Sequence, residues 1–192
     1  ANGSQFYFSA KQPRRPGKLY RLHTSSIQLV KDFQPTPFGG ARNFVELGGS
    51  RSRMVFEAHA PHMQLCVTDG TAVGTTGLTN LLSSEMIRFG NQVFFVGHDA
   101  AHGRELWATD GTASGTRLAA DIRPGPNGSF PSQFVTWGQR LVFVAHDSVS
   151  QTDIWTSDGT SAGTRRLLPN PVGRGTGIGP LEVLNGRLLY GT

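Results

Sequence analysis

Several protein classes need residues that this chain has in short supply. Its 192 residues include one cysteine, Cys66, so neither an intramolecular disulfide framework nor a Cys-based zinc site can form. Lysine occurs three times and glutamate five, too few of the strong helix formers for a helical bundle. Charged residues make up only 16% of the chain. No apolar run approaches the roughly 18 residues of a membrane-crossing helix, which excludes a helical span. The first residues, Ala1 to Ser4, show no basic region leading into an apolar stretch, so a secretory signal was either removed or never present.

Glycine and proline, by contrast, are abundant: 25 Gly and 11 Pro, close to one residue in five. That proportion is high for a helical protein but below the low-complexity range, and the length suits one compact domain burying roughly 70% of its unfolded surface. The formal charge is +5, carried almost entirely by arginine. The basic residues sit in small groups, Arg14-Arg15-Lys18, Arg51-Arg53 and Arg165-Arg166. Nucleic-acid binders show a basic stripe interleaved with aromatics, so these groups read as solvated surface and no specific nucleic-acid partner is expected.

The chain repeats itself. Glu105-Leu106-Trp107-Ala108-Thr109-Asp110-Gly111-Thr112, with Gly115-Thr116, recurs as Asp153-Ile154-Trp155-Thr156-Ser157-Asp158-Gly159-Thr160, with Gly163-Thr164. An eroded copy runs from Gln64 to Thr75 through Asp69-Gly70-Thr71, and a fainter one at Lys18 to Leu22 lacks the turn motif. Repeats of 40 to 50 residues built of short strands have the period of propeller blades. The copy from Gln133 gives one four-stranded antiparallel meander: Gln133 to Trp137, Leu141 to Ala145, Asp153 to Ser157 and Arg165 to Leu168. Matching strands fall at Met86 to Phe89, Val93 to Gly97, Glu105 to Thr109 and Arg117 to Ala120, and again between Phe44 and Thr79.

These strands predict an all-β chain, a β-propeller of about four four-stranded antiparallel blades in one domain over 1–192. The repeats span approximately 5–33 (incomplete), 41–80, 83–122, 129–169 and 180–192 (incomplete). Gln5 to Ala10 matches a second strand, whereas Leu181 to Leu184 and Leu188 to Tyr190 match first and second strands. Such ends fit either a ring closed within the chain or an arc of a larger or shared ring, and they are compatible with self-association.

In each Asp-Gly-Thr turn the carboxylate is placed to accept backbone N–H bonds, the glycines to take unusual backbone angles and the threonines to bond back to the chain. Asp69, Gly70, Thr71, Asp110, Gly111, Thr112, Asp158, Gly159 and Thr160 therefore read as structural turn residues. Calcium requires six to eight oxygens and several carboxylates. Each turn offers one carboxylate, so no metal is expected there. Trp107 and Trp155, with Tyr20 and Cys66 at matching positions, read as packing residues.

His59, His98 and His146 hold one equivalent position just past the second strand, with Lys11 in the first copy, and Asp99 and Asp147 follow two of them. These five residues, His59, His98, Asp99, His146 and Asp147, are the candidate ligand-binding set; the alternative is a repeated hydrogen bond ordering the connection to the third strand. No Gly-x-Ser-x-Gly elbow, His-Glu-x-x-His or phosphate loop occurs, so no catalytic residue and no cofactor is assigned.

The third repeat carries Phe95, His98-Asp99, Gly103, Glu105-Leu106-Trp107, Thr109 to Thr112, Gly115-Thr116 and Asp121-Ile122. In this it resembles the ELWxxDGT-repeat (hyalin-like repeat) family of bacterial proteins. In the third repeat Gly97 stands where the pattern has Ala; the fourth keeps Phe143, Ala145, Asp147 and Trp155 to Thr164 but has Gln151-Thr152-Asp153-Ile154 in place of Gly-x-Glu-Leu. The resemblance implies propeller-like modules in exported or surface-attached proteins and supplies no catalytic residues. The expected function is a non-enzymatic recognition or scaffold module binding a protein or glycan through one face. The alternative is a hydrolase, or an accessory domain of an enzyme, with a polar site near the central channel.

Overall fold

The computed structural model describes residues 5–10, 17–23, 26–32, 40–49, 53–59, 63–148, 151–170 and 177–191. Among them there is no helix, and every strand pairing is antiparallel. The first sheet holds β1 (Gln5–Ala10), β2 (Lys18–His23) and β3 (Ser26–Asp32). The second holds β4 (Ala41–Leu47), β5 (Arg53–His59), β6 (Met63–Thr68) and β7 (Thr76–Thr79). The third holds β8 (Leu82–Phe89), β9 (Gln92–Asp99), β10 (Gly103–Thr109) and β11 (Arg117–Ala120). The fourth holds β12 (Ser132–Trp137), β13 (Arg140–Ser148), β14 (Gln151–Ser157) and β15 (Arg165–Leu168), and the fifth β16 (Leu181–Leu184) and β17 (Arg187–Tyr190).

Each four-stranded sheet is a meander in chain order, as the repeat predicts. The first strands run longer than their apolar pattern suggests, β8 beginning at Leu82 rather than Met86. A bulge between Ser84 and Met86 is the reason, since it places Glu85 at φ 40° and breaks the alternation that marks a strand. Asn43 (φ 53°) and Gln133 (φ 58°) stand at the same point of β4 and β12, where the register also shifts.

The sheets pack face to face in chain order, and alternation along each second strand sends side chains to both neighbours. Phe94 joins Leu106 and Ala108 in packing on Leu141, Phe143 and Ala145 of the fourth sheet. The next residue, Phe95, turns the other way and packs with Leu47, Val55 and Leu65 of the second. Leu19 and Val30 of the first sheet meet Phe56, Ala58 and Cys66 of the second. Val142, Val144 and Ile154 of the fourth meet Leu181 and Leu188 of the fifth. The core is thus a series of four thin apolar layers between sheets. Along one side of the stack the first strands adjoin, β4 beside β8, β8 beside β12 and β12 beside β16.

Candidate functional site

The two ends of the strands carry different chemistry. At one end lie the first-to-second hairpins and the Asp-Gly-Thr turns, and at the other the second-to-third hairpins with the predicted His and Asp residues.

The turns close on themselves. In the third sheet the Asp110 carboxylate accepts from the Thr112 backbone N–H at 2.9 Å and from its hydroxyl at 2.7 Å. Thr112 Oγ1 in turn accepts from the Gly115 N–H at 2.9 Å, and the Thr116 hydroxyl donates to the Thr112 carbonyl at 2.7 Å. The same bonds recur around Asp69 and around Asp158. The Thr112 hydroxyl holds the Asp110 carboxyl below its ordinary value, and the Thr71 and Thr160 hydroxyls act likewise on Asp69 and Asp158. A Cβ added at Gly115 would fall inside the Asp110 carboxylate, and Gly74 and Gly163 stand in the same relation to Asp69 and Asp158. The second glycine of the motif is therefore a steric requirement of the aspartate.

The residue before each Asp belongs to the same network, which the motif alone does not announce. Thr109 Oγ1 accepts from the Gly111 N–H at 3.0 Å and shares a hydrogen bond with Thr116 at 2.8 Å. Thr68 and Ser157 repeat this geometry. The first glycine of each turn rests on the preceding sheet: Gly70 on Tyr7 and Arg21, Gly111 on Leu47 and Arg53, Gly159 on Phe94. Arg53 adds a hydrogen bond to the Asp110 carbonyl at 3.1 Å, and Arg117 one to the Gly159 carbonyl at 3.3 Å.

At the opposite end, the predicted His and Asp residues lie within strands and not past them. His98 is exposed in β9, opposite Arg104 and Leu82, and His146 is half-buried in β13, opposite Thr152. The second strands run on to these residues because the ladder continues past the apolar segment that marks them in sequence. His59 ends β5, but its side chain lies outside the described residues, as does Lys11.

Among the described residues, His98 and Asp99, and His146 and Asp147, are not brought together as His-Asp pairs. Asp99 accepts from the Ala101 and His102 backbone N–H groups at 2.9 and 2.7 Å, and its Oδ2 lies 2.9 Å from His102 Nδ1. Partial desolvation works against ionisation of Asp99, but the His102 and Ala101 hydrogen bonds outweigh it and lower its pKa, while Asp99 raises that of His102. His146 Nδ1 is 3.2 Å from the Thr152 hydroxyl, and Asp147 faces Arg166 at 3.7 Å. Asp99 thus orders its hairpin.

Glu105 shows what the acidic position of the motif does. Fully buried, it accepts from the Ile122 and Arg123 N–H groups at 3.0 Å each and from the Ser129 hydroxyl at 2.6 Å. It clamps the connection that leaves the third sheet, and burial raises its pKa. Asp153, its counterpart in the fourth sheet, accepts from the Asn170 N–H at 2.7 Å and from Arg166 at 3.2 Å.

The bulge residues link adjacent first strands. Glu85 accepts from the Gln133 N–H at 2.7 Å; Gln133 accepts from the Leu181 N–H at 2.8 Å and donates to the Ile178 carbonyl at 3.1 Å. The recurrence of Asn43, Glu85 and Gln133 at the repeat spacing was the available signal, but nothing in three dissimilar side chains indicates a positive φ.

A groove of about 670 Å³ lies at the turn end between the third and fourth sheets, lined by Arg88, Phe89, Gly90, Thr136, Gln139 and Asp158. A smaller hollow of about 170 Å³ beside His98 is walled by Leu82, Val96 and Arg104. Among the described residues no group of three or more His, Cys, Asp or Glu is placed to hold a metal ion. No family model matches the chain, and no curated protein matches it.

Proposed function

We propose that the chain is a non-enzymatic recognition module of the ELWxxDGT-repeat type, a propeller arc that takes a glycan in the groove at its turn end. Face-to-face stacking of four-stranded meanders, with their first strands adjoining, supports the propeller.

One observation carries the functional reading. The carboxylates repeated along the chain are engaged in hydrogen bonds that hold the sheets and their connections, at Asp69, Asp110, Asp158, Asp99, Glu105 and Asp153. The turn-end groove, which Asp158 also lines, presents Thr136, Gln139 and Arg88 around Phe89, a mixture of donors, acceptors and one aromatic wall suited to sugar hydroxyls, with Arg88 held by the Gly90 carbonyl at 3.3 Å and Glu46 at 3.7 Å. Its volume falls within the about 300–1,000 Å³ of small-ligand sites. Under this reading the module works outside the bacterial cytoplasm. Cys66 is compatible with that setting: it is buried, and burial pushes its thiol pKa up to about 12, far from a reactive thiolate.

A glycan array followed by titration calorimetry tests the proposal. Binding is expected for the native chain and is expected to weaken at least tenfold in Arg88→Ala and Gln139→Ala. Glycan silence combined with recovery of a specific protein ligand would replace the glycan with a protein. Glycoside or ester hydrolysis that is lost in His98→Ala or His146→Ala would replace the recognition module with an enzyme.

A further inference from the structure

We propose that the hollow beside His98, at the strand ends opposite the turns, binds the carboxylate of a small organic acid with an apolar body, gripped by Arg104. Phe94 of β9 faces the fourth sheet, and alternation puts Val96 and His98 on the same face. Cross-strand pairing adds Ser84 opposite Val96, and Leu82 and Arg104 opposite His98. Together these side chains line the hollow of about 170 Å³. Among the described residues the Arg104 guanidinium, the His98 ring and the Ser84 hydroxyl have no hydrogen-bond or ion-pair partner. Arg104 is nevertheless held in place. Its carbonyl accepts from the Ser129 and Phe130 N–H groups at 2.9 and 3.0 Å, and its guanidinium lies 5.8 Å from the centre of the exposed Phe130 ring. The ring backs the face of the guanidinium and leaves its N–H edge to meet an acceptor.

Comparison of the repeats gives the chemistry of the ligand. Met63 and Thr152 stand where Arg104 does, opposite His59 and His146, and in the fourth sheet Thr152 bonds His146 directly at 3.2 Å. In the second sheet Arg42 and Glu57 stand where Ser84 and Val96 do, and they form an ion pair at 2.7 Å with Glu57 buried. That sheet thus sets a carboxylate of its own against an arginine at this point. The third sheet has the arginine without the carboxylate. Asp99 and Glu105, next to His98 and Arg104 in sequence, point to the opposite face and are engaged there, and Glu85 is bonded to the Gln133 N–H. A carboxylate offers about four acceptor directions. The Arg104 fork fills two, and the His98 ring N–H and the Ser84 hydroxyl line the same hollow to supply the others. Leu82 and Val96 form an apolar wall for the rest of the ligand.

The hollow equals about five or six waters at about 30 Å³ each, below the about 300–1,000 Å³ of drug-sized sites, so a Kd of about 1–10 mM is expected. It lies at the other end of the strands from the proposed glycan groove and does not rest on that reading. Isobutyrate is titrated into the full chain to about 100 mM at fixed pH and ionic strength, with NMR shifts followed at the Arg104 Nε–H and the His98 ring. Both are expected to move and saturate together. Acetate, which lacks the apolar body, should bind at least about threefold more weakly. Isobutyramide has the shape without the charge and should give no saturable shift. Sulfate, whose tetrahedral oxygens outnumber these donors, should bind more weakly than isobutyrate. Arg104→Ala should weaken isobutyrate at least about tenfold, and Arg104→Lys, which keeps the charge but loses the fork, at least about threefold. Both variants alter an exposed side chain, and circular dichroism checks that they are folded. Absence of a saturable shift at these residues, a response to sulfate or isobutyramide as strong as that to isobutyrate, or unchanged affinity in Arg104→Ala overturns the proposal.

Discussion

Replacing Gly115 by alanine isolates the steric logic of the turn. Ordinarily, Gly→Ala where the backbone angle is permissible stabilises by about 0.4–1 kcal/mol, because the unfolded chain loses freedom. Gly115 has no positive φ, so alanine meets no backbone penalty there. Its methyl group would, however, occupy the space of the Asp110 carboxylate. Asp110 must rotate away, giving up its two bonds to Thr112. Both bonds are exposed to solvent, so about 1 kcal/mol each is appropriate. Gly115→Ala is then expected to cost roughly 1–2 kcal/mol net in urea unfolding, and Asp110→Ala about 2 kcal/mol. The decisive measurement is the double variant. With the carboxylate gone the alanine has room, so Gly115→Ala in the Asp110→Ala background should be neutral or stabilising by about 0.5 kcal/mol. Equal cost in both backgrounds, with a coupling below about 0.5 kcal/mol, would refute the steric account.

Other perturbations read other parts of the scaffold. Glu105→Gln turns an amide N–H₂ toward one of three donors and should lower stability at neutral pH by about 1–3 kcal/mol, read from the urea midpoint. The pH dependence has two signs. The turn aspartates are held below their ordinary value near 3.8, so their stabilisation is present above that pH and lost as pH falls through the folded values; Asp110→Asn should flatten this acid limb. Glu105 is raised from 4.5, so its contribution declines as pH rises through its folded value, and Glu105→Gln removes that slope. Trp107 is packed, but its indole N–H has no partner among the described residues. Trp107→Phe should therefore cost less than about 1.5 kcal/mol and Trp107→Ala about 3–5 kcal/mol in thermal unfolding; equal losses would show that the indole nitrogen matters.

The strand count and the meander order were legible because each turn motif marks a boundary between third and fourth strands. Thr76–Thr79, Arg117–Ala120 and Arg165–Leu168 follow directly from it. The first strands were only half legible, since a bulge at Asn43, Glu85 or Gln133 interrupts the alternation that pattern reading relies on. Structural roles for the turn aspartates follow from spacing, because a carboxylate two residues before an N–H is within its reach. The partner of Asp99 was not legible in the same way. His98 is adjacent in sequence, but neighbouring strand residues point to opposite faces, and His102 across the hairpin is the residue within reach. Glu105 was visible as a motif letter without a task, because its partners, 17 to 24 residues on, belong to an irregular connection.

The resting of each turn glycine on the preceding sheet gives the stack a direction in time. Gly111 lies against Leu47 and Arg53, Gly159 against Phe94, and the Phe–Trp pairs of the third and fourth sheets against the apolar layer before them. None of these supports lies later in the chain. The preceding sheet is already synthesised when the next one leaves the ribosome, and the 48 residues separating Asp110 from Asp158 take about 2–10 s to synthesise. Hairpins form in about 1–10 µs, so each sheet has ample time to settle before the next one needs it. Synthesis thus delivers each sheet before the turn that rests on it, while the apolar layer shared by two sheets closes only when both are present.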